Sequence, residues 1–150
     1  MPKRVILIAA VTVDGYIARH KLEVTSWSKD LHVFKEQTMG CPVIMGSNTH
    51  KTLSSELAGR ESIVVNRGDE PQVILNNISA KKCFIIGGGR TYLRFIKNLT
   101  HLYVTPHPYI FGEGIHLFHG KNNTQLKLQF KKLVEIDSVN GIFQYQYKVK

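Results

Sequence analysis

Apolar, β-branched runs recur along this chain with helix-period segments between several of them, and that alternation restricts the fold more than any single motif. The runs are RVILIAAV from Arg4, PVIMG from Pro42, SIVVN from Ser62, QVIL from Gln72, KCFIIG from Lys82 and LYVTPH from Leu102. Each has the composition of a strand. Runs that are apolar throughout, rather than alternating, suit strands buried on both faces, and intervening helices suit parallel strands joined by crossovers. The expected class is therefore α/β, with a single mixed central sheet of about eight strands, mostly parallel and flanked by short helices.

The first helix is expected from an N-cap at Ser28 through KDLHVFKEQTM, with Asp30, Leu31, Phe34 and Thr38 along one side. The second opens in SNTHKTL after Gly46. The third follows the glycine run as RTYLRFIKNL, turning Leu93, Ile96 and Leu99 to the core. After Thr124 the pattern becomes QLKLQFKKLVEIDSV, then Asn140-Gly141, then IFQYQYKVK, which predicts an antiparallel C-terminal hairpin. No repeat, low-complexity tract or linker interrupts the chain, so residues 1–150 are read as one domain. Its 150 residues suffice for an ordinary core, and a monomer is the expectation.

Hydrophobic residues make up 43% of the chain, yet no apolar run is long enough to span a membrane, and MPKRVILIAAV lacks a small-residue cleavage site. A soluble, unexported, cytoplasmic protein with no membrane partner is expected. Cys41 and Cys83 match no zinc or redox spacing and read as buried free thiols. The formal net charge of +9 creates a field that attracts phosphates and carboxylates. The basic residues are scattered, with no arginine-rich tract and no zinc-finger or helix-turn-helix spacing, so a small anionic ligand is favoured over nucleic acid. His116 and His119 stand i, i+3, but no third ligand is spaced to join them, and no metal is expected.

Gly87-Gly88-Gly89 lies between a strand and a helix, where bare backbone N–H groups can hold a phosphate; a tight turn with no ligand explains three glycines equally well. Gly46-Ser47-Asn48-Thr49 also follows a strand and opens a helix, so two such turns could face one pyrophosphate, the signature of a dinucleotide. At the end of SIVVN stands Asn66-Arg67, a cation where sites for the 2′-phosphorylated dinucleotide place one, although an exposed loop arginine is the plainer alternative. Asp30 is the sharpest catalytic candidate, since a carboxyl facing Leu31 and Phe34 could handle a proton near neutral pH. It could instead only complement a helix start. Trp27 could be core, or could close over a bound ring.

Taken together, ILIAAVTVDGYIA, W-S-K-D-L-x-x-F-K, PVIMGSNTHKTL, Gly59-Arg60, IIGGGRTY and LYVT occur in an order that resembles the dihydrofolate reductase family. The resemblance implies NADPH-dependent reduction of dihydrofolate to tetrahydrofolate, a step of one-carbon metabolism. It implies that Asp30 contacts the N3 and 2-amino edge of the pterin and promotes protonation at N5, that Thr105 is hydrogen-bonded to it, and that Trp27 packs over the active site. It places Ile8, Ala9, Leu31, Phe34, Leu53, Leu57 and Ile86 around the substrate, with carbonyls of Ile8 and Ile86 for the pterin amino group, and gives Arg60 the α-carboxylate of the glutamate tail as a bidentate clamp. For NADPH it implies Ala10 and Ile17 at the nicotinamide. Gly46, Ser47, Asn48, Thr49, Ile86, Gly87, Gly88, Gly89, Arg90, Thr91 and Tyr92 would lie along the cofactor, and Asn66 with Arg67 near its 2′-phosphate.

The chain departs from the family pattern in four places, one of them His50, which stands where an aromatic is common. Only Ser28 and Lys29 separate Trp27 from Asp30, without the customary Leu-Pro. Ser47 stands where an arginine is frequent, with Arg67 to compensate. The helix before the glycine strand is reduced to little more than NNISAKK. VDGYIA and TPHPYIFGEG resemble equally the reductase domain of riboflavin biosynthesis, which shares the fold and acts with NADPH on a ribosylaminopyrimidine phosphate. A basic nucleotide-binding module without turnover is the non-enzymatic alternative.

Overall fold

In the computed structural model, which describes residues 1–23 and 25–150, the apolar runs assemble into a seven-stranded sheet. The strands are β1 (Arg4–Thr12), β3 (Pro42–Gly46), β4 (Glu61–Val65), β5 (Lys82–Gly87), β6 (His101–His107), β8 (Leu128–Asp137) and β9 (Ile142–Val149). Their order is β4-β3-β5-β1-β6-β9-β8. The first five pair in parallel, and β9 joins β6 and β8 antiparallel. A separate ribbon pairs β2 (Tyr16–Ala18) with β7 (Ile115–His116). Chain order reverses at β1, whose neighbours are β5 and β6, and a crevice at the carboxyl ends of parallel strands is characteristic of such a switch point.

The strand expected at QVIL is a helix. Residues Pro71–Asn76 form α3, with Pro71 in its first turn and Leu75 fully buried while Val73 is exposed. Proline is suited to that position because its missing N–H would be unpaired there anyway. Two parallel strands also need a crossover, and β4 to β5 leaves only this segment to supply one. The main sheet therefore has seven strands instead of eight, and the helix before the glycine strand is α3 rather than NNISAKK.

The other helices are α1 (Leu31–Thr38), α2 (Ser47–Leu53) and α4 (Gly89–Arg94), the last followed by a 3-10 turn over Ile96–Asn98. The expected start of α1 at Ser28 is displaced: Asp30 caps the helix with its backbone, and its side chain makes no capping bond. Helices this short are unstable alone and depend on packing. Two apolar clusters provide it. On one face Val5, Leu7, Ile85 and Leu102 meet Leu75, Tyr92, Phe95 and Leu99. On the other Ile6, Ile8, Val43, Met45, Phe84 and Tyr103 meet Leu57, with Phe34 and Leu53 packed against them. Burial of a residue such as Phe95 or Leu75 contributes about 2–3 kcal/mol.

Two polar devices fix α1. Gln37 and Gln144 exchange amide hydrogen bonds at 2.7 and 2.9 Å. Arg60 reaches back to the carbonyl of Lys35 and the hydroxyl of Thr38. The C-terminal hairpin forms as expected, with Gly141 at φ 70° closing the turn and the Asp137 carboxylate accepting from the Asn140 backbone N–H. Cys41 and Cys83 are buried free thiols, and burial, then the neighbouring Cys41, pushes the Cys83 thiol up to about 12.

Candidate active site

At the carboxyl ends of β1, β3 and β5 two clefts open side by side and share Lys21, Thr49 and Gly88. The first is walled by Ile8, Ala9 and Ala10 of β1, by Asp30, Leu31 and Phe34, by Thr52 and Leu53 of α2, and by Ile86, Gly87 and Tyr92. The segment after β1 supplies the remaining wall through Ile17, Ala18, Glu23, Thr25 and Ser28. Asp30 is the only buried acid in the protein's described residues, 8% exposed, and none of those residues donates a hydrogen bond to its carboxylate. Its charge is felt by Tyr92, whose phenol is pushed well above its ordinary value first by burial and then by Asp30. The phenol thus stays a donor, to the carbonyl of Ile8 at 2.6 Å.

The second cleft is more polar than the first. Gly46, Ser47, Asn48 and Thr49 form one wall, Gly88, Gly89, Arg90 and Thr91 the other, and Lys21, Val65, Arg67, Arg94, Ile115 and His119 the rim. The two glycine turns are in contact: a Cβ on Gly46 would come within 2.8 Å of Thr91 Oγ1, and one on Gly87, at φ 136°, within 3.1 Å of Thr49 Oγ1. A Cβ on Gly89 would meet the carbonyl oxygen of His116 at 2.5 Å. Backbone this close leaves room for an anion to be held by main-chain N–H groups. Arg94 turns its guanidinium to the carbonyls of Asn66 and Asp69, while the ion pairs among the described residues, Arg19–Glu23 and Lys35–Glu56, engage neither Arg67 nor Arg90. The donor set fits a phosphorylated dinucleotide.

Most residues expected from the sequence gather here, and five do not line either cleft. Leu57 lies beneath the first cleft in the core, 4% exposed. Asn66 is exposed, its backbone N–H donating to Asp69 and its carbonyl accepting from Arg94. The hydrogen bond expected between Thr105 and Asp30 is not formed: Thr105 Oγ1 is fully buried and has no partner. Trp27 does not cover the cleft but is buried edge-on against His107 and Phe111, with ring centroids 5.2 and 5.3 Å away, and its indole N–H donates to Glu23. Arg60 is not a free clamp. Its Nε donates to Thr38 Oγ1 at 2.8 Å, one terminal nitrogen to the carbonyls of Glu56 and Ala58, and the other to that of Lys35 at 2.9 Å. Four of the five guanidinium donors are occupied, so a bidentate grip on a carboxylate would displace one of them.

The sequence reading missed Lys21, Glu23, Arg94 and His119 at the clefts. Lys21 and Glu23 occupy a loop of no local pattern, and His119 is carried to the site by its backbone N–H on the carbonyl of Gly89. Burial raises the Glu23 pKa, but hydrogen bonds from Arg19 and Trp27 outweigh it and lower the value overall. A charged carboxylate therefore stands at the rim.

The switch point at β1, the buried acid of the first cleft and the glycine-walled cationic groove beside it lie together at the carboxyl ends of the parallel strands. The sequence profile described as dihydrofolate reductase matches residues 4–146, and the chain belongs to the dihydrofolate reductase family of oxidoreductases. It is 31% identical to dihydrofolate reductase type 3 of Salmonella typhimurium over 111 residues, covering 66% of this chain and 68% of that one. It is 27% identical to the dihydrofolate reductase of Buchnera aphidicola subsp. Baizongia pistaciae over 135 residues, covering 81% of each.

Among solved structures, the dihydrofolate reductase of Enterococcus faecalis complexed with NADP(H) superposes with a TM-score of 0.77 at 19% identity, over 100% of this chain and 98% of that one. The bifunctional diaminohydroxyphosphoribosylaminopyrimidine deaminase and reductase of Thermotoga maritima superposes with a TM-score of 0.78 at 16% identity, over 99% of this chain and 57% of that one. At such identities these likenesses establish the fold alone. None of the helices is long and apolar enough to cross a membrane, among the described residues.

Proposed function

We propose that this protein reduces dihydrofolate to tetrahydrofolate with NADPH, consuming one proton per turnover. The observation that carries the reading is Asp30, a buried acid that lines the first cleft with Ile8, Leu31 and Phe34 and whose carboxylate has no partner in the described fold. Asp30 takes the N3 and 2-amino edge of the pterin as a planar, two-point partner, and so promotes protonation at N5. Carbonyls of Ile8 and Ile86 accept from the pterin amino group, the former through the lone pair that Tyr92 leaves unused. Phe34, Leu31, Ala9 and Leu53 exclude water from the ring. Arg60 offers its remaining N–H to the glutamate tail.

NADPH, when bound, supplies the hydride delivered to C6. Ala10 and Ile17 border the space for the nicotinamide, the turns Gly46 to Thr49 and Gly87 to Thr91 hold the pyrophosphate, and Arg67 with Arg90 takes the 2′-phosphate. Replacing Asp30 by Asn tests the assignment. Turnover of dihydrofolate should fall by about 100-fold or more while NADPH binding is retained; undiminished turnover would refute the role.

A second reading, reduction of a ribosylaminopyrimidine phosphate, has in its favour the segment TPHPYIFGEG and the superposition on the Thermotoga maritima enzyme. Dihydrofolate is preferred because the cleft that holds Asp30 has apolar walls in Leu31, Phe34 and Leu53, which suit a pterin with its benzoyl group better than a phosphorylated ribose.

A further inference from the structure

We infer that His107 is a positioning residue for Asp30, holding the two-residue connection between Trp27 and the helix that carries the acid. The inference rests on the assignment of Asp30 above. His107 is 1% exposed and ends β6, in register with Thr12 of β1. Its two ring nitrogens have different partners. Nε2 lies 3.0 Å from the backbone N–H of Lys29, and Nδ1 lies 2.9 Å from the carbonyl oxygen of Thr105. The amide can only donate and the carbonyl can only accept, so the ring carries its hydrogen on Nδ1 and presents the Nε2 lone pair to Lys29.

The consequence for Asp30 follows from chain geometry. Lys29 immediately precedes it, and on the other side the Asp30 carbonyl accepts from the backbone N–H of Phe34 at 2.9 Å. The acid is therefore gripped at both ends, by β6 through the imidazole and by the first turn of α1. Trp27 packs its edge against the same imidazole and fixes the ring plane. The bond spans 78 residues in sequence and joins the acid to the strand that also bears Thr105. With only Ser28 and Lys29 between Trp27 and Asp30, the connection has no turn of its own to set its path, and one strong external acceptor sets it instead. His107 lines neither cleft, so it acts through Asp30 and not on a ligand.

The test uses His107→Gln, which keeps one acceptor and one donor, and His107→Phe, which keeps the planar bulk and removes both. In NADPH-oxidation assays with dihydrofolate, His107→Phe should lower kcat/KM for dihydrofolate about tenfold, the size of the lost bond to Lys29, the one of the two that reaches the acid, with KM for NADPH within about twofold of wild type. His107→Gln should restore most of the loss. Equal kinetics in all three proteins, or equal losses in both variants, would overturn the inference.

A second arm needs no turnover. Nitrogen NMR of the wild-type imidazole should report hydrogen on Nδ1, and the Asp30 carboxyl carbon signal should shift in His107→Phe and return in His107→Gln. Hydrogen on Nε2, or an Asp30 signal indifferent to both changes, would overturn the inference. A wild-type protein inactive on dihydrofolate would refute the substrate assignment alone, because this arm would still decide the role of His107.

Discussion

The phenol of Tyr92 donates a fully buried 2.6 Å hydrogen bond to the carbonyl oxygen of Ile8, tying the helix behind the glycine turn to the strand that floors the cleft. One bond thus couples the anion-holding wall to the wall on which a ring would rest.

Removing that hydroxyl tests the coupling. Tyr92→Phe should lower stability by about 1 kcal/mol, the usual net worth of a buried hydrogen bond, and should be read by chemical denaturation. It should also raise KM for NADPH, because Gly88 and Gly89 lose their anchor to β1. Unchanged stability would mean that the Ile8 carbonyl finds water or another donor instead.

Gly89 is the position where close approach matters most. An added Cβ would meet the main-chain oxygen of His116 at 2.5 Å and Cβ of His119 at 2.6 Å, neither of which is the far end of a flexible side chain. Gly89→Ala should push α4 away from the β2–β7 ribbon and weaken NADPH binding about tenfold or more, measurable by fluorescence titration. Binding as in wild type would show that the ribbon yields freely.

Arg60 has a structural task that the sequence did not reveal. Because its guanidinium joins the end of α1 to the turn before β4, Arg60→Leu should cost about 1–3 kcal/mol of stability in addition to any rise in KM for dihydrofolate. A stability equal to wild type, with only KM changed, would return Arg60 to the role of a pure ligand clamp.

Asp14 sets a pH dependence. Its carboxylate accepts from the hydroxyl of Thr12 at 2.6 Å and from the backbone N–H groups of Gly112 and Phe111, joining the turn after β1 to the loop before β7. The Thr12 hydroxyl contributes most; the slight burial opposes, and the two amides add to the lowering of its pKa below the ordinary 3.8. A folded pKa below the unfolded one means that the contribution to stability is complete above 3.8 and is lost as pH falls through the folded value. Thermal melts from neutral pH into that acid range should therefore show a shallower loss for Asp14→Asn than for wild type; identical slopes would contradict the assignment.

Much of this was legible because β-branched runs and glycine turns are local signals. The runs at Arg4, Pro42, Ser62, Lys82 and Leu102 form strands, and Gly46 and Gly87 to Gly89 form the strand-to-helix junctions. QVIL reads as a strand because three consecutive apolar residues, Val73 to Leu75, satisfy a buried strand and a buried helix turn alike; Pro71 just ahead is the discriminating signal. Ser28 was misread as a cap because the Lys29 N–H is claimed by His107 on a strand far along the chain. The same reason hid the bonds of Arg60 to α1 and the aromatic packing of Trp27, which depend on partners distant in sequence. Asp30 could be singled out from its apolar neighbours, but not the fact that it would be left without an internal partner.

The most direct test of the account is the loss of NADPH absorbance on adding dihydrofolate to the purified protein, beside a parallel sample given the ribosylaminopyrimidine phosphate. NADPH should be oxidised with dihydrofolate and not with the pyrimidine, and the rate should fall about 100-fold or more in Asp30→Asn. Oxidation with the pyrimidine alone would contradict the substrate assignment and leave the cofactor groove as described.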